Sequence, residues 1–320
     1  QAENRITDDL SVTAGLHSQN HELTEKFILE PRAAVSWQAR PNQRWSVAYG
    51  LHAQAIPSPI LFLEEEVAPG VSERTNDNLD FMKSHHFVLG YDRRLGDNWR
   101  RKAETYYQDL FDVPVERVAS SYSVVNEGAD FDFEEKGNLI NEGTGFNYGL
   151  ELTLEKFFSR GYYALVTTSI FESRYEGSDG IERNTAFNNN FVGNILLGKE
   201  WKFGANGKNA WTFDTKFTTA GGNPFTPIDL EASRANAGRE VRRDEMAFSD
   251  RYDDYLRWDI KFGVRINSNK KNISHQFFVD FQNITNRENE FVRRYNEVTD
   301  EINRVDQIGF FPDVMYRIQF

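Results

Sequence analysis

The chain has 320 residues, a formal net charge of −12 and no cysteine, and it carries 26 Phe, 13 Tyr and six Trp. The acidic balance argues against a nucleic acid as partner, because phosphate binding needs clustered positive charge. Without cysteine, disulfides, thiolate zinc sites and cysteine nucleophiles are excluded. No apolar run approaches the roughly 20 residues of a spanning helix, so helical membrane insertion is excluded as well.

Hydrophobic alternation with period two organises the sequence and predicts about twelve strands. The clearest case is residues 256–266, where six apolar side chains alternate with polar or glycine positions. A strand of about 11 residues can cross a bilayer when it is tilted. An even number of such strands is typical of bacterial barrels. In chain order the predicted strands are 10–16, 33–39, 45–53, 87–91, 99–107, 146–154, 162–170, 191–201, 211–217, 256–266, 277–281 and 314–320.

Short and long connections alternate between these strands. A barrel with short periplasmic turns and long extracellular loops has this asymmetry, whereas a sandwich does not. We therefore expect the long, acidic and Asn/Gly-rich connections outside the cell. The short connections are 41–43, 96–98, 159–161, 204–209 and 268–272; the long ones are 58–80, 114–143, 174–188, 221–250 and 287–304, with 21–30 as a modest long one.

Aromatic residues gather near the short turns. Trp45, Trp99, Trp201 and Trp211 each lie within a few residues of one, and 157–162 adds two Phe and a Tyr. Aromatic residues gathered at one height of a barrel are typical of an interfacial girdle, where the body of each ring lies in lipid and its polar edge lies among the headgroups. The alternative is ordinary strand-end aromatics in a soluble core. Trp37 and Trp258 are predicted to lie further from a turn.

The free energy of burying charge predicts which face meets lipid. Turning a basic residue outward near the bilayer midplane costs about 2–4 kcal/mol. The apolar face, with Leu150, Trp258, Phe262 and Tyr316, is therefore expected to face lipid. The residues expected to face the lumen are Glu151, Arg257, Asp259, Lys261, Arg265 and Arg317.

Several segments resemble one family. Residues 309–320 (GFFPDVMYRIQF) resemble the closing strand of TonB-dependent receptors of the Bacteroidetes type. Residues 221–229 (GGNPFTPID) look like the Gly-Gly-x-x-x-(Thr/Ser)-Pro-Ile-Asp loop of that family. Residues 255–259 (YLRWD) and 281–287 (FQNITNR) are similar to its following strand and to a strand end, and 106–116 is also family-like.

The resemblance implies an all-β fold, a transmembrane antiparallel up-and-down β-barrel. Family barrels have about 22 strands, so about twelve strands imply the C-terminal part of a larger barrel. We expect residues 1–320 to be that part, without the N-terminal plug domain and first strands, because the sequence opens on Gln1 with no signal segment. The implied function is TonB-dependent import of a scarce nutrient across the outer membrane, namely an iron chelate, a vitamin, an oligosaccharide or a peptide.

The resemblance also implies partners. They are outer-membrane lipid and lipopolysaccharide, and the TonB complex acting through the missing plug. The barrel assembly machinery is expected to read the last strand, with Tyr316, Ile318 and Phe320 as the signal. A surface lipoprotein is a further candidate. No cofactor is expected.

The loop at 221–229 is the candidate substrate vestibule. Its paired glycines permit positive φ and its two prolines stiffen the remainder, so we expect an ordered loop. The candidate site residues are Gly222, Asn223, Pro224, Thr226 and Asp229.

Other motifs carry weaker hypotheses. His85 and His86 are adjacent on a strand and so point to opposite faces, which argues against a shared metal. The acidic loops 176–182 and 250–254 offer oxygen ligands for Ca²⁺, but they lack EF-hand spacing, which favours a solvated or lipopolysaccharide-bridging loop instead. No nucleophile elbow is present, and only His52, His85 and His275 are predicted on strands, so we expect no catalytic residues and no enzyme.

Two alternative interpretations, in which the protein is not a receptor, stay open. A self-contained porin or adhesin barrel of about twelve strands fits the same pattern, and a soluble carbohydrate-binding sandwich fits parts of it. A receptor fragment predicts two unpaired sheet edges, at 10–16 and 314–320, whereas a self-contained barrel predicts a ladder between them.

Overall fold

The computed structural model describes residues 1–129, 133–268 and 272–320. One antiparallel sheet of 14 strands dominates the structure. None of the helices in these residues is long and apolar enough to cross a membrane. The strands are β1 (Ala2–Arg5), β2 (Leu10–His21), β3 (Lys26–Arg40), β4 (Gln43–Gln54), β5 (Glu65–Ala68), β6 (Val71–Glu73), β7 (Met82–Leu95), β8 (Trp99–Glu116), β9 (Leu139–Ser159), β10 (Tyr162–Glu176), β11 (Glu182–Asn184), β12 (Phe191–Phe203), β13 (Asn209–Ala220), β14 (Pro224–Phe225), β15 (Asp250–Arg251), β16 (Tyr255–Asn267), β17 (Ser274–Gln282), β18 (Glu290–Asn296), β19 (Glu301–Asp306) and β20 (Phe311–Gln319). The helices are α1 (Ser58–Leu61) and α2 (Leu230–Ala235), with 3₁₀ turns at Val124–Asn126, Ala205–Gly207 and Asp244–Met246.

The main sheet runs up and down in chain order, β1-β2-β3-β4-β7-β8-β9-β10-β12-β13-β16-β17-β20, and β11 pairs with the end of β10. Each of the twelve predicted segments coincides with one long strand of this sheet, so the predicted fold class is confirmed. The sequence missed β1, which pairs with β2 from Ala2 opposite Ala14 to Arg5 opposite Ser11. Four exposed residues are too few to show a period.

The two ends of the sheet do not meet. Within the described residues, β1 pairs with β2 alone and β20 with β17 alone. The sheet of this chain is therefore open, and its first edge is β1 rather than the predicted 10–16.

Turns and loops alternate along the sheet as predicted, with one exception. The connection expected to be modestly long at 21–30 is a turn of residues 22–25, because β2 and β3 pair up to His21 opposite Lys26. The hairpins β5-β6, β14-β15 and β18-β19 lie inside the long loops. The predicted turn 268–272 falls partly outside the described residues.

Strand pairing separates an apolar face from a polar one. Residues directly opposite in an antiparallel ladder share a face. One such row joins Phe213, Phe262, Val279 and Val314 across four strands. The next row joins Asp214, Lys261, Asp280 and Asp313. The apolar side chains expected to face lipid are all exposed in this chain: Leu150, Trp258, Phe262 and Tyr316.

The aromatic girdle is broader than predicted. Trp37 is directly opposite Trp45 in the β3-β4 ladder and therefore lies at the same level, contrary to the sequence-based expectation. The ring of Trp45 also lies 4.6 Å from that of Tyr91, centroid to centroid. The girdle aromatics at the turn end are exposed on the apolar face.

The buried hydrophobic cluster lies among the loops rather than on the sheet. A single-layer sheet packs neither face against a second layer, so its apolar side chains stay exposed. The loop cluster contains Ile56, Ile60, Leu61, Leu79, Tyr122, Val124 and Leu139. The first two long loops thus share a hydrophobic core at the start of β9.

Candidate functional site

The long loops enclose a cavity of about 960 Å³ at one end of the sheet. We call the loops 55–81, 117–138, 177–190, 221–254 and 283–310 the loop layer. Ligand sites typically measure about 300–1,000 Å³, so the cavity can hold a small solute. Side chains from four of the five loops line it, all but 55–81.

A buried asparagine fixes the first two loops to each other. The carboxamide nitrogen of Asn76 donates to the carbonyls of Ile60 (3.0 Å) and Lys136 (2.9 Å). Its oxygen accepts a 3.0 Å bond from the backbone N–H of Leu139. Because Asn76 is fully buried, removing these bonds would leave unsatisfied polar groups.

The second and third loops are joined by side-chain to backbone bonds. The Tyr175 hydroxyl donates to the Ser121 carbonyl at 2.9 Å, and the Ser178 hydroxyl donates to the Val118 carbonyl at 2.9 Å. The backbone N–H of Ala186 donates to the side-chain oxygen of Asn126 at 2.9 Å. The cavity wall that these loops form is therefore fixed by directional contacts.

Arg251 joins the third and fourth loops. Its guanidinium donates to the backbone carbonyls of Asn188 and Gly222, the latter at 3.1 Å. Burial lowers the pKa of Arg251 from its ordinary value. Carbonyl oxygens rather than a carboxylate satisfy this side chain, so its main role is to hold backbone in place.

The fourth and fifth loops meet through charged groups. Arg304 pairs with Asp253 at 2.7 Å, and the Asp253 N–H donates to Glu290 at 3.2 Å. Asn289 exchanges bonds with the backbone of Leu256 at 2.9 and 3.0 Å. The cavity is therefore bounded by one connected layer.

The paired glycines of the predicted vestibule loop serve close approach, not positive φ. Neither Gly221 nor Gly222 has a left-handed backbone, which corrects the sequence-based reason for them. A Cβ at Gly221 would lie 2.0 Å from the Asn189 carbonyl oxygen, and one at Gly222 would lie 1.8 Å from that of Tyr252. Only glycine lets the three backbones pack at this distance.

The candidate vestibule residues separate into two groups. Gly222, Asn223, Pro224 and Thr226 line the cavity. Asp229 lies outside the lining, where it accepts a 2.9 Å bond from the Ala232 N–H at the start of α2. The structure thus gives Asp229 a capping position.

The cavity carries both signs of charge. Among the described residues, eight carboxylates and three basic side chains line it. Arg183, Arg293 and Arg304 pair with three of these carboxylates from outside the lining. Burial raises the pKa of Glu134, and Asp244 and Glu116 nearby add to the rise.

Below the loop layer, the polar face brings most of the predicted lumen residues into ion pairs or ring contacts. Arg257 contacts Asp259 at 2.7 Å, and Lys261 lies 4.5 Å from the centre of the Phe278 ring. Arg265 pairs with Glu200 at 2.8 Å. Glu151 lies directly opposite Glu104, and Arg317 opposite Gln276.

Histidines and acidic loops do not form a metal centre in the described residues, where no group of three or more His, Asp or Glu side chains could hold an ion. His17 and His21 also lie on a strand, which the sequence analysis missed. His86 and His52 face each other with ring centroids 4.4 Å apart, while His85 stacks on Tyr49 across the other face.

Sequence reasoning missed most of the cavity wall. Asn126 and Phe291 line it, yet no motif marks them. Loop length and composition placed these segments at one end of the sheet, but which side chains point inward depends on contacts between loops about 60 residues apart.

Comparison with known proteins identifies one family. Residues 1–286 match the model described as TonB dependent receptor-like, beta-barrel. The sequence matches none of the curated proteins with which it was compared.

Solved structures share the fold at low identity. The outer membrane transporter YddB from Escherichia coli is 12% identical with a TM-score of 0.63, covering 97% of this chain and 43% of its own. The ferric-catecholate import receptor Fiu from E. coli is 10% identical with a TM-score of 0.62, over 98% and 43%. BauA, the ferric preacinetobactin receptor from Acinetobacter baumannii, is 12% identical with a TM-score of 0.59, over 97% and 40%. The chain thus spans less than half the length of these receptors.

Proposed function

Because this chain belongs to the TonB-dependent receptor-like β-barrel family of the bacterial outer membrane, we propose that it forms the C-terminal wall of a receptor that imports a scarce nutrient. In this proposal the short turns face the periplasm and the loop layer faces the medium. Residues upstream supply the remaining strands and a plug, through which the TonB complex acts.

The observation that carries the proposal is the cavity of about 960 Å³ in the loop layer. The polar sheet face below the loop layer carries ion pairs, so a solute that passes from the cavity along that face would enter a wet lumen and not lipid. Polar contacts to the solute come from Asn223, Thr226 and the neighbouring lining residues. A passive pore needs no solute-sized cavity of this kind among its loops.

The proposed solute classes are an iron chelate, a vitamin, an oligosaccharide and a peptide. The aromatic and mixed-charge lining suits each of them. Two compared receptors are named for ferric chelates, which supports testing ferric chelates first.

A self-contained porin or adhesin barrel is the second candidate, and the sheet edges argue against it. Within the described residues no ladder joins β20 to β1 or β2. An open edge in hydrocarbon leaves unpaired backbone groups at several kcal/mol each. Additional strands are the simplest means of pairing both edges.

Selective blockage of the cavity tests the import function. The sequence has no cysteine, so a single introduced thiol in this part of the protein can be labelled specifically. Glu245 is exposed and lines the cavity, whereas Glu301 is exposed on β19 outside the lining. Glu245→Cys and Glu301→Cys therefore form a matched pair in the full-length protein.

Intact cells carrying either variant are labelled with a bulky, membrane-impermeant maleimide. Uptake of ferric catecholate, cobalamin, an oligosaccharide and a peptide is then measured with and without TonB. We expect TonB-dependent uptake of one class, blocked by the label at residue 245 and unaffected at residue 301. Uptake that continues without TonB, or equal inhibition at both positions, would contradict the proposal.

A further inference from the structure

Two arginines lie side by side on the apolar, outward face of the sheet. Arg93 of β7 and Arg101 of β8 are directly opposite each other. Alternation places Arg93 on the same face as the exposed Phe87 and Leu89. Like charges directly opposite in a ladder are destabilising, so this pair needs an explanation.

The chain itself supplies no counter-charge to this pair. Within the described residues, no carboxylate lies within 4.0 Å of either guanidinium, and the buried Nε of Arg93 has no hydrogen-bond partner. On the inward face of the same strands, Arg100 pairs with Asp92 and Lys102 with Glu104. The outward pair is therefore left for a partner outside the chain.

An outward lysine nearby shows how the sequence satisfies such a charge internally. Lys156 donates to the carbonyls of Phe157, Ser159 and Tyr162 and to the Ser159 hydroxyl, at 2.8–3.2 Å. Its ammonium group is buried by these bonds. Within the described residues, Arg93 and Arg101 share a single neutral side-chain acceptor, the Tyr91 hydroxyl.

The pair lies at the level of the aromatic girdle. Arg101 donates to the Tyr91 hydroxyl at 3.3 Å and lies 5.6 Å from the centre of that ring, and Trp45 contacts Tyr91 from the next strand. Residues 96–98 form the short turn between β7 and β8, and two strand residues separate it from each arginine. Short turns are periplasmic in outer-membrane barrels, so this level is the headgroup region of the periplasmic leaflet.

Strands outside this chain cannot cover the site. β7 and β8 are interior strands, flanked by β4 and β9. Further strands would extend only the edges at β1 and β20, and a domain in the lumen would contact the opposite face. This surface therefore faces the surrounding membrane, where lipid is the neighbour.

We propose that Arg93 and Arg101 bind the phosphate of a phospholipid of the periplasmic leaflet. A guanidinium pairs with phosphate through two parallel N–H···O bonds. The aliphatic stems of both arginines lie along the apolar face while their heads reach the interface. Lipopolysaccharide phosphates lie at the other end of the strands, beside the loop layer. The proposal rests on the outer-membrane location and is independent of the imported solute.

Native mass spectrometry of the full-length, delipidated protein tests this site. The probe is dioleoylphosphatidylglycerol, with dioleoylglycerol as the lipid without phosphate and inorganic phosphate as the anion without acyl chains. The test variant is Arg93→Gln/Arg101→Gln. Its matched control is Arg94→Gln/Lys102→Gln, which removes the same charge one residue along the same strands on the inward face.

We expect affinity for the first phosphatidylglycerol to fall about tenfold in the outward variant, as the loss of a charge-assisted contact implies, and to stay unchanged in the control. Arg93→Lys/Arg101→Lys keeps the positive charge but loses the bidentate guanidinium geometry. Its affinity for phosphatidylglycerol should therefore lie between those of the wild type and the outward glutamine variant. Equal affinities in both glutamine variants would overturn the proposal. The proposal would also be overturned if dioleoylglycerol bound as tightly as phosphatidylglycerol. It would likewise be overturned if saturating inorganic phosphate failed to displace phosphatidylglycerol.

Discussion

The Tyr163 hydroxyl donates a 2.7 Å hydrogen bond to Asp214 across an intervening strand. Gly198 of β12 lies directly opposite both residues, between β10 and β13. A Cβ at Gly198 would lie 2.1 Å from the Tyr163 ring. The missing side chain therefore lets an aromatic ring lie flat on the polar face and join two strands that are not neighbours.

Gly198→Ala should destabilise the sheet. The ring of Tyr163 must move and release Asp214, and overpacking of this kind costs about 1–3 kcal/mol. Thermal unfolding of the purified full-length protein measures the loss. Gly193→Ala is the control, because a Cβ there meets only Thr219 at 3.3 Å. Equal unfolding temperatures for the two variants would show that the ring does not need the glycine.

Asp179→Asn should loosen the loop at 177–190. Asp179 forms two bonds with Arg183, at 2.7 and 2.9 Å, and the Arg183 side chain is only 7% exposed. The substitution leaves that buried charge unpaired, at about 1.5–3 kcal/mol. Hydrogen exchange in this loop should become faster, while exchange in loop 55–81, which does not contact the pair, serves as the internal control. Unchanged protection in 177–190 would mean that the pair does not stabilise it.

The same pair predicts a pH dependence. The hydrogen bonds from Arg183 hold the pKa of Asp179 below its ordinary value. Because the folded-state pKa is the lower one, the stabilisation is complete above the unfolded pKa and is lost as pH falls through the folded pKa. Loop protection should therefore be flat at neutral pH and fall only in acid. Asp179→Asn should abolish that acid step, and an acid step of equal size in the variant would assign it to another group.

Thiol labelling of neighbouring residues on β16 tests the assignment of the two faces. Phe262 belongs to the apolar row and Lys261 to the polar one. In proteoliposomes, Lys261→Cys should react with a water-soluble maleimide faster than Phe262→Cys, because lipid excludes the reagent from the outward position. Faster labelling at residue 262 than at residue 261 would mean that the polar face meets lipid and the apolar face lines the lumen.

The strands could be predicted because period-two alternation persists over enough residues to be seen. β16 shows it from residue 256 to residue 266, whereas β1 has four residues, all exposed. Trp37 was misjudged because its level depends on its partner Trp45 and not on its distance from a turn.

The site was predicted less completely than the sheet, for a physical reason. The glycine pair at 221–222 marked the right loop, but the need for glycine arises from the Asn189 and Tyr252 carbonyls, which lie elsewhere in the sequence. Asp229 precedes a short helix, so its capping position depends on local structure that the motif alone did not show. Contacts between loops produce no periodic pattern in the sequence, so they cannot be predicted from it as the strands were.

The structure of the full-length protein in lipid tests the central claim most directly. The receptor account predicts that β20 pairs with a strand from outside residues 1–320, that β1 also gains a neighbour, and that a separate domain fills the lumen beside Lys261 and Arg257. A ladder between β20 and β1 or β2 around an empty lumen would contradict it, and the chain would then be a self-contained pore.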